Sequence, residues 1–238
     1  MKNPFKSIKS PGIEFLCHAE DWDVIPKPYP ARKFLPEWYK KIPQKIDEEN
    51  KLENSTIKRC APVLDAFCIG WIIPLAADVE FVTNDDASSI TWKSNFYREM
   101  VQTHGQAQIN APGKSHPESP KPPLKFLNWW QVKLSPGYSV LFVPPLNRAD
   151  SRFECMSGMV DEGYEEFVNF PFFFKQPSYT GIVKQGTPLV QAIVIKKEEF
   201  DVTCRSLTDE DVAAIELTRR KRRAHESLYR DHIWKPIK

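Results

Sequence analysis

A chain of 238 residues is long enough for one large domain or two small ones, and 41% hydrophobic with 27% charged residues is a composition that folds. Lys and Arg number 33 against 31 Asp and Glu, a net charge of +2, which excludes a broadly basic nucleic-acid binder and a strongly acidic solvating protein. No long apolar run occurs, and Met1-Lys2-Asn3-Pro4-Phe5-Lys6 lacks the apolar core of a signal peptide, so the expectation is a soluble, cytoplasmic protein with no membrane contact.

Proline supplies 21 residues and glycine only 9, roughly 9% and 4% against ordinary values near 5% and 7%. Proline is excluded from helix interiors and central strand positions, so such a chain is made of short segments ended by fixed turns. With 12% aromatic residues to fill a core, a mainly β architecture is favoured over a helical bundle. Cys17, Cys60, Cys68, Cys155 and Cys204 are odd in number and form no C-x-x-C pair. They predict reduced, mostly buried thiols and no zinc ribbon or disulfide framework.

In chain order, 13–25 reads as a strand and a polar turn, and Pro36-Glu37-Trp38-Tyr39-Lys40-Lys41 as a short helix stopped by Pro43. The apolar run Val63–Leu75 suits a buried helix or strand, with Ile72-Ile73 and flanking prolines favouring strand late in the run. Asp78–Thr83 and Ser89–Lys93, joined by Asn84-Asp85-Asp86, alternate as a hairpin does. Residues 110–123 form a proline-rich loop and a candidate hinge between a variable front half and a compact back half. Beyond it, Trp129–Leu134, Tyr138–Val143, Glu165–Phe174, Gly181–Val183 and Leu189–Ile195 are β-branched or aromatic segments at sandwich or barrel spacing. Thr208-Asp209-Glu210-Asp211 then opens a helix to about Tyr229, with Val212, Ile215, Leu217 and Leu228 as its apolar contacts.

The most specific pattern is Gly158-Met159-Val160-Asp161-Glu162-Gly163-Tyr164, followed by an apolar strand and Gly186-Thr187-Pro188-Leu189-Val190-Gln191. It resembles the third and fourth motifs of the dUTPase and dCTP-deaminase superfamily, a jelly-roll-like β fold in which such a hairpin holds a deoxynucleoside. A carboxylate there accepts from a sugar hydroxyl or orients a water, and a tyrosine ring lies flat on deoxyribose. The resemblance implies Asp161 and Tyr164 as ligand residues, Asp161 as the one weak catalytic candidate, and Gln191 as a strand amide. It departs at Glu166 and Pro188, where the superfamily has Gly and Arg. In place of the P-R-S phosphate motif stands only Pro144-Pro145-Leu146-Asn147-Arg148, which makes Arg148 the substitute basic ligand. No cradle for a triphosphate emerges.

A second resemblance spans most of the chain. Leu35-Pro36-Glu37-Trp38-Tyr39-Lys40, Lys58-Arg59-Cys60-Ala61-Pro62-Val63-Leu64-Asp65-Ala66, Gly70-Trp71-Ile72-Ile73-Pro74-Leu75, Gly137–Phe142, Val168–Phe172, Lys184–Gln191 and Tyr229…Trp234 are similar to an uncharacterised family of tailed-phage and bacterial proteins. That resemblance implies a common fold and a viral context, with the host cytoplasm or virion as location, and supplies no chemistry.

Other constellations are weaker. His18-Ala19-Glu20 matches the H-x-E of zinc deaminases, but the required P-C-x-x-C is missing. With His104 or His116 it imitates a two-histidine, one-carboxylate iron set, against a hydrogen-bonded or solvated His18 and no metal as the commoner outcome. His104-Gly105-Gln106-Ala107-Gln108 suits a polar pocket or an exposed strand face. Asp65, inside an apolar run, needs a partner such as Arg59 or Arg98. Arg219-Arg220-Lys221-Arg222-Arg223 must face solvent, an acidic protein or nucleic acid. Trp129-Trp130 and Phe172-Phe173-Phe174 read as core filling, and aromatics on both faces of one strand suggest a subunit interface.

The expectation is therefore one domain over 1–238: an irregular N-terminal elaboration to about 122, a β-sandwich or jelly-roll-like core at about 124–200, and a C-terminal helix at about 208–230. Its function is that of a non-catalytic phage-type structural or protein-interaction protein, a dimer or trimer without cofactor. The alternative is a nucleotide-binding or nucleotide-hydrolysing dUTPase-like protein acting through Asp161 and Tyr164.

Overall fold

The structure, a computed structural model, describes residues 12–46, 56–109, 116–119, 121–148, 150–225 and 228–236. The chain divides into two compact units, residues 1–34 with 69–197, and residues 35–68 with 198–238.

The first unit is mainly β. Its strands are β1 (Ile13–Leu16), β2 (Tyr29–Pro30), β3 (Trp71–Pro74), β4 (Val79–Thr83), β5 (Ile90–Lys93), β6 (Val101–Thr103) and β7 (Leu124–Phe126). They continue as β8 (Gln131–Leu134), β9 (Tyr138–Val143), β10 (Phe153–Cys155), β11 (Gly158–Asp161), β12 (Phe170–Phe174), β13 (Thr180–Val183) and β14 (Pro188–Lys196). Among the described residues four open sheets result, ordered β1-β8, β10-β12-β7-β6, β11-β9-β14-β3-β2 and β13-β4-β5. Each takes at least one strand from before residue 104 and one from after 123. The 110–123 loop, described at 116–119 and 121–123, joins β6 to its antiparallel neighbour β7. It is a connection inside one sheet and not a hinge, because the two halves are laced together by pairings such as β4–β13 and β3–β14.

Local chemistry explains several elements. The β4–β5 hairpin closes because the Asn84 carboxamide accepts from the Ser89 amide (2.9 Å), the Asp86 carboxylate accepts from the Ser88 amide (2.9 Å), and Ala87 takes a left-handed φ of 58°. Before β3 the chain needs glycine. Gly70 has φ +71°, and a Cβ there would lie 2.0 Å from the Ala192 carbonyl oxygen.

Side chains from all four sheets meet in one core that includes Val79, Phe81, Val101, Phe126, Val132, Phe142, Phe172 and Val190. Phe126 stacks on Phe172 at 3.8 Å and 12°, Phe81 meets both edge-on at 6.3 Å, and Phe142 meets Phe170 at 5.3 Å. Burying each such ring contributes about 1.5–3 kcal/mol. The aromatic run 170–174 is thus buried inside the chain and is no sign of a subunit interface. Phe170, Phe172 and Phe174 alternate into the core, while Phe173 on the other face stacks under His116 at 4.8 Å. The strand also starts later than the 165–174 pattern suggests. Phe167 makes an isolated bridge to Gln131, and regular pairing begins only at Phe170.

The second unit holds the helices α1 (Glu37–Lys41), α2 (Ala61–Cys68) and α3 (Asp209–Ala224). Tyr39 and Phe67 are buried against each other at 4.7 Å, and the Trp234 indole N–H donates to Asp65 Oδ2 at 2.6 Å. Asp65 therefore has an indole partner, and the expected Arg98 is engaged with Glu20 and Asp21. The apolar run at 63–75 is helix first and strand second. α3 stops at Ala224, short of the expected Tyr229, and none of its residues is buried, so Val212, Ile215 and Leu217 are exposed. The thiols likewise depart from expectation. Cys155 is buried, with burial pushing its pKa up, whereas Cys60 and Cys204 are exposed. Among the described residues no helix is long and apolar enough to cross a membrane.

Candidate functional site

β11 is an edge strand of the five-stranded sheet and runs antiparallel to β9, so register places Asp161 opposite Ser139. The cross-strand pair is bonded: the nearly buried Ser139 hydroxyl donates to Asp161 Oδ1 at 2.7 Å. Lys197, one residue past β14, brings its Nζ to 2.6 Å from the same oxygen. The Lys197 ammonium, and after it the Ser139 hydroxyl, hold the Asp161 carboxyl below the usual carboxylate range. The chain then turns through Gly163 at φ +81°, which no L side chain adopts readily, and presents Tyr164 47% exposed.

An open groove of about 730 Å³ lies beside this turn. Asp161, Tyr164, Phe167 and Asn169 form one side, and His104 from the end of β6 and Lys125 from β7 join them. The Phe167 ring is set by the His18 ring at 5.5 Å and by Trp129 at 5.8 Å, and the Asn169 side-chain oxygen accepts from the Asn128 amide at 3.2 Å. The groove thus offers two rings, one imidazole and one ammonium around a carboxylate already neutralised by lysine. That set suits recognition of a flat or extended polar group.

The other residues named from the sequence are placed apart from this groove. Gln191 is fully buried on β14. Its Nε2 donates to the Ile69 carbonyl at 2.6 Å, and its Oε1 accepts from the Leu146 amide at 3.0 Å and from Arg148 Nη2 at 3.1 Å. The Arg148 guanidinium also bonds the carbonyls of Ala31 and Phe34 and lies over the Phe34 ring. Arg148 and Gln191 are brought together, but as an internal clasp on the 144–148 loop. Arg219, Arg220, Lys221, Arg222 and Arg223 lie exposed on α3. Among the described residues no group of three or more His, Cys, Asp or Glu is placed to hold a metal ion.

Sequence reasoning missed Lys125, Phe167, Asn169 and the role of Lys197. Lys125 carried a faint signal, a cation between core residues Leu124 and Phe126, which alternation turns outward. Lys197 carried none, since it meets Asp161 only through the β9–β14 and β9–β11 pairings.

A second polar cluster lies nearby in the same unit. Asp21 is fully buried, and its Oδ1 accepts from Arg98 Nε at 2.9 Å and from the Tyr97 hydroxyl. Burial acts to raise the Asp21 pKa, but these bonds outweigh it and leave the group lowered. Arg98 also covers the Trp129 ring at 4.9 Å, tying the turn after β1 to the start of β8.

No protein-family profile and no curated protein matches the chain, so the expected phage and bacterial family finds no match. Among solved structures, a mutant dUTPase from phage phi11 of S. aureus, studied for its coordination of a structural Mg(II) ion, resembles it with a TM-score of 0.29 and 9% identity, over 47% of this chain and 99% of that one. The likeness is weak, and the reading of the site rests on its own geometry.

Proposed function

We propose that this chain is a non-catalytic structural or protein-interaction protein of the phage type its sequence resembles, and that it works by self-association. The observation that carries the reading is the state of the residues a dUTPase-like enzyme would use. Asp161 is ion-paired with Lys197 and accepts from the Ser139 hydroxyl, and the half-buried Arg148 and the buried Gln191 are bonded to each other and to backbone carbonyls. A carboxylate held ionised by an ammonium is a poor proton acceptor near neutral pH. Phe200, Val202 and Leu207 are 78%, 85% and 62% exposed in sequence proximity, the kind of surface that association covers.

A second reading, a nucleotide-like ligand in the groove, is favoured by one feature: the Tyr164 and Phe167 rings share it with Lys125 and His104. Thermal shift with deoxynucleotides and divalent metals, on wild type and Asp161→Ala, separates the two. The expected response is below about 1 °C in both. A rise of several degrees (roughly the effect of ligand at 100 times Kd) that the substitution abolishes would overturn the non-catalytic reading.

A further inference from the structure

α3 is a problem of physical chemistry as it stands. It is a 16-residue helix with a complete Thr208–Asp211 capping box, yet none of its residues is buried. Isolated helices of about this length are marginal in water, and caps and charge–dipole matching contribute only about 1 kcal/mol each. A stable α3 needs a face to pack on.

The charge pattern says which one. Asp209, Glu210 and Asp211 occupy the first turn, and Arg219, Arg220, Lys221, Arg222 and Arg223 the end. Three- and four-residue steps put Asp209, Val212, Glu216, Arg219 and Arg223 on one face, with Ile215 beside it. Along the face run Asp209, the apolar Val212 and Ile215, then Glu216, which pairs with Arg220 in its own helix, and finally Arg219 and Arg223. Against a parallel copy it sets like charges together. Against an antiparallel copy with the two-fold axis near Ile215, acids about 16 Å from the cations along the helix meet the partner's cations at both ends.

We propose that α3 pairs antiparallel with α3 of a second copy of this chain, Ile215 and Val212 packing about the axis and Asp209 facing the partner's Arg219, Arg222 and Arg223. The proposal rests on the self-association reading and assigns its surface. Arg220 is already offset by Glu216 at 3.9 Å, and Asp211 by Arg205 within the cap. Asp209, Glu210 and the remaining cations are exposed.

The test is sedimentation velocity of the full chain in low and high salt with two charge-reversed variants. One is Asp209→Arg; the other is Arg219→Glu with Arg222→Glu and Arg223→Glu. Both leave the capping box intact, which helix content by circular dichroism checks. Wild type should dimerise and weaken with salt, and each variant alone should lose at least about tenfold in affinity. The equimolar mixture should recover, because the cations at both ends of one α3 face then meet acids at both ends of the other. An oligomeric wild type indifferent to both variants would overturn the α3 pairing while leaving self-association standing. A monomeric wild type would overturn both. Tighter binding of a single-stranded oligonucleotide by the Asp209→Arg variant, with a monomeric wild type, would assign the tract to nucleic acid instead.

Discussion

Replacing Gln191 with methionine tests whether this residue belongs to a ligand site or to the interior. Methionine keeps the side-chain bulk, so no large cavity opens and the loss is mainly polar. Three hydrogen bonds go: to the Ile69 carbonyl (2.6 Å), from the Leu146 amide (3.0 Å) and from Arg148 (3.1 Å). A buried polar group deprived of its bond costs about 1–3 kcal/mol. Arg148 keeps the carbonyls of Ala31, Phe34 and Leu146, so the cost falls on the Ile69 and Leu146 groups and totals about 3–4 kcal/mol. In a chain of this size that lowers Tm by roughly 7–14 °C. Calorimetry or chemical denaturation of Gln191→Met measures it directly. A Tm within about 2 °C of wild type, especially with altered response to an added nucleotide, would refute the clasp and return Gln191 to the binding surface.

Phe172→Ala, at the centre of the stacked rings, should cost about 3–5 kcal/mol in denaturant midpoint analysis. Gly70→Ala should cost about 2–5 kcal/mol, because its Cβ would strike the Ala192 carbonyl. Gly137→Ala, with a similar φ of +83° but open space around its Cβ, should cost only about 1–2 kcal/mol. The Asp211 carboxyl is held well below its usual range by the Arg205 guanidinium and the Thr208 amide and hydroxyl. Its support of α3 is therefore fully present above the ordinary carboxylate value near pH 4 and is lost as pH falls through the lowered one. Backbone chemical shifts across α3 should report that loss below about pH 4, and the same profile in Asp211→Asn would show the cap is not its source.

Alternation, turn residues and proline spacing were enough to read the mainly β class, the β4–β5 hairpin, β9, β13, β14 and the start of α3, because each is written in a pattern a few residues long, whatever it later pairs with. The glycine-flanked turn that displays Asp161 and Tyr164 was legible for the same reason. What Asp161 can do was not, since Lys197 reaches it across two strand pairings and no local pattern records that meeting. Gln191 and Arg148 were named from the resemblance alone; that they bond each other where β14 packs beneath the 144–148 loop is recorded by no local pattern. Likewise, the rings of 170–174 announced burial on both faces, but whether the chain itself or a partner supplied the cover was decided by where His116 and Phe126 come to rest. Hydrophobic pattern demands burial without naming the surface that provides it, and that surface is settled by pairings between residues far apart in the chain.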